Sequence, residues 1–199
     1  MHNTNGNLAY KLESHYDERR EERIDGKVIM MAPARINHNR VAYNISIIFH
    51  AYLNGKKCEY FPDGNGLYLS DQEHYIPDGM VVCDPDKVRD KGIIGVPDLV
   101  VEVLSRGTAR HDRGHKKDVY EKFGVREYWI VDPIRLSVEQ YVLQEGKFIL
   151  RDVYQKYPVS VLADMSEEER AAIATEFPCA IFDGLTVRLD DVFGRVTIV

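Results

Sequence analysis

The chain has 199 residues, a formal net charge of −6, 44% hydrophobic and 29% charged residues, the make-up of an ordinary soluble globular domain. No apolar run approaches the ~20 residues of a membrane-spanning helix. The acidic balance argues against tight, non-specific coating of nucleic acid. Met1 to Glu22 is polar and holds no signal-peptide core. Cys58, Cys83 and Cys179 are widely spaced and form no C-x-x-C, so the expected setting is reducing and cytoplasmic, with no zinc cluster.

In chain order, residues 1–16 read as a mobile lead to a single domain that spans the 199 residues. Asp25-Gly26 between two extended runs marks a hairpin, with Pro33 ending its second strand. Asn37 or Asn39 caps a helix that runs to Leu53, with Val41, Ile45, Ile48 and Tyr52 on one face. Asn54-Gly55 stops it. Cys58 to Leu69 is extended and broken at Pro62-Asp63-Gly64. Gln72 to Tyr75 reads as a loop. Pro77 to Cys83 reads as a strand and Asp86 to Gly95 as a second loop. Asp98 to Ser105 is an apolar, β-branched strand of the kind buried on both faces. Asp112 to Phe123 is a helix stopped by Gly124. Glu127 to Val131 is a strand. Ser137–Leu143 and Lys147–Tyr157 form a hairpin. Ser166 to Phe177 reads as a helix with acids in its first turn, and Cys179 to Val199 as short extended pieces. Mixed strands and helices without regular alternation indicate an α+β or mixed α/β domain with a central sheet.

Glu102 sits in the middle of the apolar strand. A buried carboxylate is costly unless it is paired or binds a cation. It is therefore either held by a core Arg or backbone donors, or it is a metal ligand or acid/base group. Asp98 shares its strand face but lies roughly 13 Å away along the strand, so a partner must come from elsewhere. Asp78, entering a strand after Pro77, is the best candidate, although Pro77-Asp78-Gly79 also reads as a simple turn. Two carboxylates there suit Mg²⁺. On the helix, Asp112, Lys116, Tyr120 and Phe123 share one side. Tyr120 and Phe123 pack on the sheet, so Lys116 leans toward it, while Lys117 falls with Arg113 and Glu121 on the exposed face. Ser105 to Arg126 holds seven Lys/Arg against three acids, a net +4, which leaves −10 for the remainder. His111 and His115 are four residues apart, a spacing compatible with zinc, but no third ligand is evident nearby.

These residues resemble the PD-(D/E)XK nuclease superfamily and, within it, the Uma-type family of restriction endonucleases. The matching pieces are Glu22-Arg23-Ile24-Asp25-Gly26, Pro33 with His38, Pro77-Asp78, Val101-Glu102-Val103-Leu104-Ser105, Asp112 with Lys116 and Tyr120, and Gly124 to Pro133. A weaker match runs from Leu185 to Phe193. The superfamily's lysine normally stands two residues after the acid, where this chain has Leu104. The resemblance implies a migrated lysine, Lys116, supplied by the helix.

The resemblance implies a restriction-endonuclease-like α/β core, a mixed central β-sheet flanked by helices. It also implies an endodeoxyribonuclease that hydrolyses DNA phosphodiester bonds with a metal-activated water. Asp78, Glu102 and Lys116 are the expected catalytic residues. Asp78 and Glu102, with Glu22 as a third carboxylate, are the expected ligands of Mg²⁺ or Mn²⁺. Lys117, Arg113, Ser105 and His38 are candidate DNA contacts. His38 is also a candidate helix cap, and Ser105 a strand end. DNA is the expected partner, with a homodimer left open. The alternative is a catalytically inactive nuclease-fold protein that binds nucleic acid or a protein partner, favoured by the negative charge and by Leu104.

Overall fold

The computed structural model describes residues 21–31, 34–105 and 107–197. The expected lead over residues 1–16 and the stop at Pro33 lie outside them. The elements in order are β1 (Glu21–Ile24), β2 (Lys27–Met30), α1 (Ile36–Leu53), β3 (Glu59–Pro62), β4 (Leu67–Tyr68), β5 (His74–Tyr75), β6 (Gly79–Val82), β7 (Val88–Arg89), β8 (Gly92–Ile94), β9 (Leu99–Val103), α2 (Ala109–His111), a π-helical turn (Asp112–Lys116), α3 (Lys117–Phe123), β10 (Glu127–Asp132), β11 (Ser137–Gln144), β12 (Lys147–Gln155), α4 (Val159–Ala163), α5 (Glu167–Ala171), β13 (Glu176–Pro178), β14 (Thr186–Arg188) and α6 (Leu189–Val192).

The main sheet has the order β12-β11-β10-β9-β6-β3. Only its central pair, β9 and β10, is parallel. A parallel pair needs a crossover, and α2, the π turn and α3 supply it. All five residues of β9 are buried, as expected for a strand covered on both faces. Val101 and Val103 join Trp129 and Val131 in a core beneath α1 and α6. Val100 and Leu104 join Tyr128 and Ile130 in a second core on the other face. That second core is closed by a six-stranded sheet of short strands, β2-β1-β5-β4-β8-β7, through Ile24, Leu67, Tyr75 and Ile93. Glu102 follows the alternation of Val100 and Leu104, so it points between the two sheets.

Glu127, at the start of β10, is fully buried in the first core. Its carboxylate accepts from Trp129 Nε1 (2.7 Å), Gln140 Nε2 (2.6 Å) and the Ile181 amide (2.9 Å). One buried acid thus ties the C-terminal segment to the sheet.

The α/β class is as expected, but several elements differ from the sequence reading. The stretches read as loops at Gln72–Tyr75 and Asp86–Gly95 contain β5, β7 and β8. Helix α1 begins at Ile36 with Arg35 at its N-cap. Asn37 is inside the helix, and its side chain instead donates to Thr197 O at 2.7 Å. Ser166 does start a helix, with a capping box to Glu169, but that helix ends at Ala171. Phe177 is drawn into the core against Trp129 and Tyr154, so residues 176–178 pair with β14 as a strand. The tail contains α6 as well as extended pieces. Cys58 and Cys83 are bonded, S–S 2.04 Å. They flank the paired ends Glu59 and Val82 of β3 and β6. A bonded pair removes the basis on which cysteine spacing pointed to a reducing compartment.

Candidate active site

Strand alternation builds one side of the site. In β1, Glu22 and Ile24 turn inward while Glu21 and Arg23 face out. Asp78 immediately precedes β6, beside β9 in register Gly79↔Val101. Its Oδ2 accepts from the Val103 amide at 2.6 Å and lies 3.2 Å from His38 Nε2 of α1. Gly79 is required next to it, because a Cβ there would overlap the Tyr60 hydroxyl.

The crossover closes the other side. Lys116 ends the π turn and is 3% exposed. Its Nζ donates to Glu22 Oε1 (2.9 Å) and Glu102 Oε1 (3.0 Å) and lies 3.7 Å from Asp112 Oδ1. The Tyr120 hydroxyl, one turn on, also donates to Glu102 Oε1 at 2.8 Å. The Ile76 amide donates to Glu22 Oε1 at 3.2 Å. Five separate segments, β1, α1, the residues before β6, β9 and the crossover, therefore converge on these buried carboxylates.

The formal charges of this cluster are unbalanced, and the imbalance acts on the acids themselves. Glu22, Asp78, Glu102 and Asp112 are all buried. Lys116 and, when protonated, His38 are the cations within 4 Å of them among the described residues. With every acid ionised and His38 protonated, four carboxylates against two cations would leave a net −2. Burial pushes the Glu102 carboxyl well above the usual carboxylate range; Lys116 opposes this, and Asp112, Asp78 and Glu22 add to it. Burial also raises Asp112, against the pull of Lys116. Burial works against the charge of Lys116, but Glu102, Glu22 and Asp112 outweigh it, so its pKa is raised and the ammonium persists. Burial likewise opposes a charged His38, and the hydrogen bond and charge of Asp78 overcome it, leaving the imidazole above its ordinary value. Asp112 Oδ1 is buried with no hydrogen-bond partner.

The structure brings Glu22, Asp78, Glu102, Lys116 and His38 together. His38 bonds Asp78 rather than capping α1. Lys117 is outside, with its Nζ 5.2 Å from the Tyr141 ring centroid. Arg113 is engaged by Glu139, at 2.6 Å, with Asp132 at 3.9 Å. Ser105 is taken up in a turn with Thr108, through Ser105 N to Thr108 Oγ1 and Thr108 N to Ser105 Oγ, each 3.2 Å. Sequence reasoning placed Asp112 and Tyr120 on the correct helix side but gave neither a part in the site. Their i, i+4 spacing around Lys116 was the signal. No local pattern marks the Tyr60 hydroxyl, which is buried without a partner.

The model of the Uma2 family, described as "Putative restriction endonuclease", matches residues 8–174. The chain belongs to the Uma2 family. Two relatives from Synechocystis sp. (strain ATCC 27184 / PCC 6803 / Kazusa) are both uncharacterized proteins. The chain is 32% identical to sll1609 over 126 residues, covering 61% of this chain and 71% of the relative. It is 30% identical to slr1290 over 131 residues, covering 63% and 69%. A crystal structure from Anabaena variabilis ATCC 29413, described as a "putative nuclease belonging to DUF820", superposes with a TM-score of 0.68. The superposition covers 96% of this chain and 98% of that one at 17% identity. At that identity the likeness establishes a shared fold with this Uma2 chain. No helix among the described residues is long and apolar enough to cross a membrane.

Proposed function

We propose that this Uma2 chain is a metal-dependent endodeoxyribonuclease acting on DNA. The observation that carries the reading is the buried charge excess: four carboxylates share one lysine and one histidine. A divalent cation would neutralise that excess, and an all-oxygen donor set suits Mg²⁺ or Mn²⁺. Asp78 and Glu102, with Glu22, would hold it. Bound there, such an ion supplies Lewis-acid polarisation of a phosphate and a more acidic water.

The remaining work belongs to the chain. Val103 N and His38 fix the Asp78 carboxylate. Tyr120 fixes Glu102. Lys116 keeps its proton beside the carboxylates and offers a positive charge to a phosphate oxygen as negative charge develops in the transition state. The test is plasmid cleavage with Mg²⁺ or Mn²⁺. Glu102→Gln is expected to abolish cleavage with an unchanged circular-dichroism spectrum, and undiminished cleavage by that variant overturns the assignment.

A second reading, a nuclease-fold protein that only binds nucleic acid or a protein partner, is favoured by one observation. Lys116 already gives two of its three hydrogen-bond donors to Glu22 and Glu102, as in a lysine that merely balances charge. Calorimetric titration with Mn²⁺ separates the two. Micromolar binding lost in Asp78→Ala supports the enzyme, and absence of binding supports the second reading.

A further inference from the structure

We propose that Asp25, Glu73 and His115 form a second cation site, separate from the carboxylate centre, that takes a divalent transition-metal ion such as Zn²⁺. The three come from different elements: the tip of the β1–β2 hairpin, the residue before β5, and the π turn. One ring nitrogen of His115 and one oxygen of each carboxylate lie within 4.8 Å of one another. His115 Nδ1 is 3.9 Å from Asp25 Oδ2 and Nε2 is 3.8 Å from Glu73 Oε2, both beyond hydrogen-bonding distance.

Two independent features point to a ligand. His115 Nε2 is shielded from solvent and has no hydrogen-bond partner among the described residues, although the side chain as a whole is 30% exposed; the nitrogen is aimed at Glu73 rather than bonded to it. Glu73 is itself buried, and no Lys or Arg among the described residues pairs with it or with Asp25. Its Oε2 accepts a hydrogen bond from the Tyr75 hydroxyl. Outer hydrogen bonds of this kind orient carboxylates that ligate metals. An imidazole with two carboxylates selects Zn²⁺ or Mn²⁺ over Mg²⁺, which prefers oxygen donors and retains its water. The spacing leaves each group a short movement from a common ion, and open coordination positions would be filled by water. His111, the sequence partner of His115, is not in the cluster; the other two groups come from a hairpin tip and a loop distant in sequence.

The site sits one side chain from the carboxylate centre. The Tyr75 ring lies between them, with Lys116 Nζ 5.7 Å from its centroid. An ion at Asp25, Glu73 and His115 would tie the hairpin and β5 to the turn that carries Lys116.

The experiment is calorimetric titration of Zn²⁺, with Mg²⁺ as control, into the full chain bearing Glu102→Gln, so that the carboxylate centre is impaired throughout. One equivalent of Zn²⁺ is expected to bind and to raise Tm. Adding His115→Ala should weaken that binding about tenfold or more. Adding Asp25→Asn, at an exposed turn where folding is not at stake, should weaken it in the same direction. No Zn²⁺ binding to Glu102→Gln, or binding unchanged by both additional substitutions, overturns the proposal. The outcome is independent of DNA cleavage, so failure of the nuclease reading and failure of this site are told apart.

Discussion

At the scale of single residues, Lys116 and Lys117 make the sharpest contrast. They are neighbours in sequence, yet one is sealed among three carboxylates and the other lies over an aromatic ring in reach of water. Lys116→Ala removes the ammonium and leaves the acids uncompensated, a change that typically costs about 3–5 kcal/mol. The expected result is a large fall in Tm, partly restored by Mg²⁺, and no cleavage. Lys117→Ala is expected to keep the unfolding free energy within about 0.5 kcal/mol of the parent and to retain cleavage. Thermal melts and a plasmid assay read both. The charge excess also sets a pH dependence. Glu102 and His38 are both held above their ordinary pKa values. Each therefore stabilises the fold fully below its unfolded value and loses that contribution as pH rises through its folded value. The metal-free protein should lose stability as pH rises above the ordinary carboxylate and imidazole values, and Glu102→Gln should flatten that slope in melts without metal. Glu102 and Lys116 were legible in the sequence because each breaks a pattern: an acid in a β-branched run, and a lysine on the apolar side of a helix. Glu22 was less so, since in an acidic segment only the pairing of β1 shows which acids turn inward.

At the scale of elements, the π turn between α2 and α3 is the least predictable piece and the one nearest the site. Asp112 and Lys116 bracket it. The phase argument for Lys116 rests on Tyr120, and α3 begins at Lys117, so regular α-helix links the two. Gly114, inside the turn, has no neighbour within 4 Å of where a Cβ would stand. Gly114→Ala should therefore stabilise the protein by about 0.5–1 kcal/mol by reducing the freedom of the unfolded chain, seen as a shift in denaturation midpoint without loss of fold. The strands β5, β7 and β8 of the second sheet escaped the sequence reading for a physical reason. Strands of two or three residues carry no periodicity, and their pairing is fixed by contacts such as Arg23↔His74 across distant segments.

At the scale of the whole molecule, the disulfide joins the edge strand β3 to β6, the strand that follows Asp78. It was not legible because it depends on strand register, which spacing alone does not give. It spans 25 positions, and closing a loop of that size contributes about 3 kcal/mol. Reduction, or Cys58→Ser, is expected to lower the unfolding free energy by about that amount in urea titrations while the sheets persist. The Lys116–Glu22 pair, by contrast, closes 94 residues without a covalent bond. Its consequence appears during synthesis. A ribosome adds residues at about 5–20 per second, so for several seconds the chain carries Glu22 with no ammonium to meet it. Asp78 and Glu102 emerge into the same interval. A fragment that ends between residues 103 and 111 holds three of the four acids and neither the lysine nor the β10 strand that pairs with β9. Premature termination upstream of the π turn therefore releases a chain that cannot assemble this centre, and whatever the centre does begins only after more than half the protein has been made.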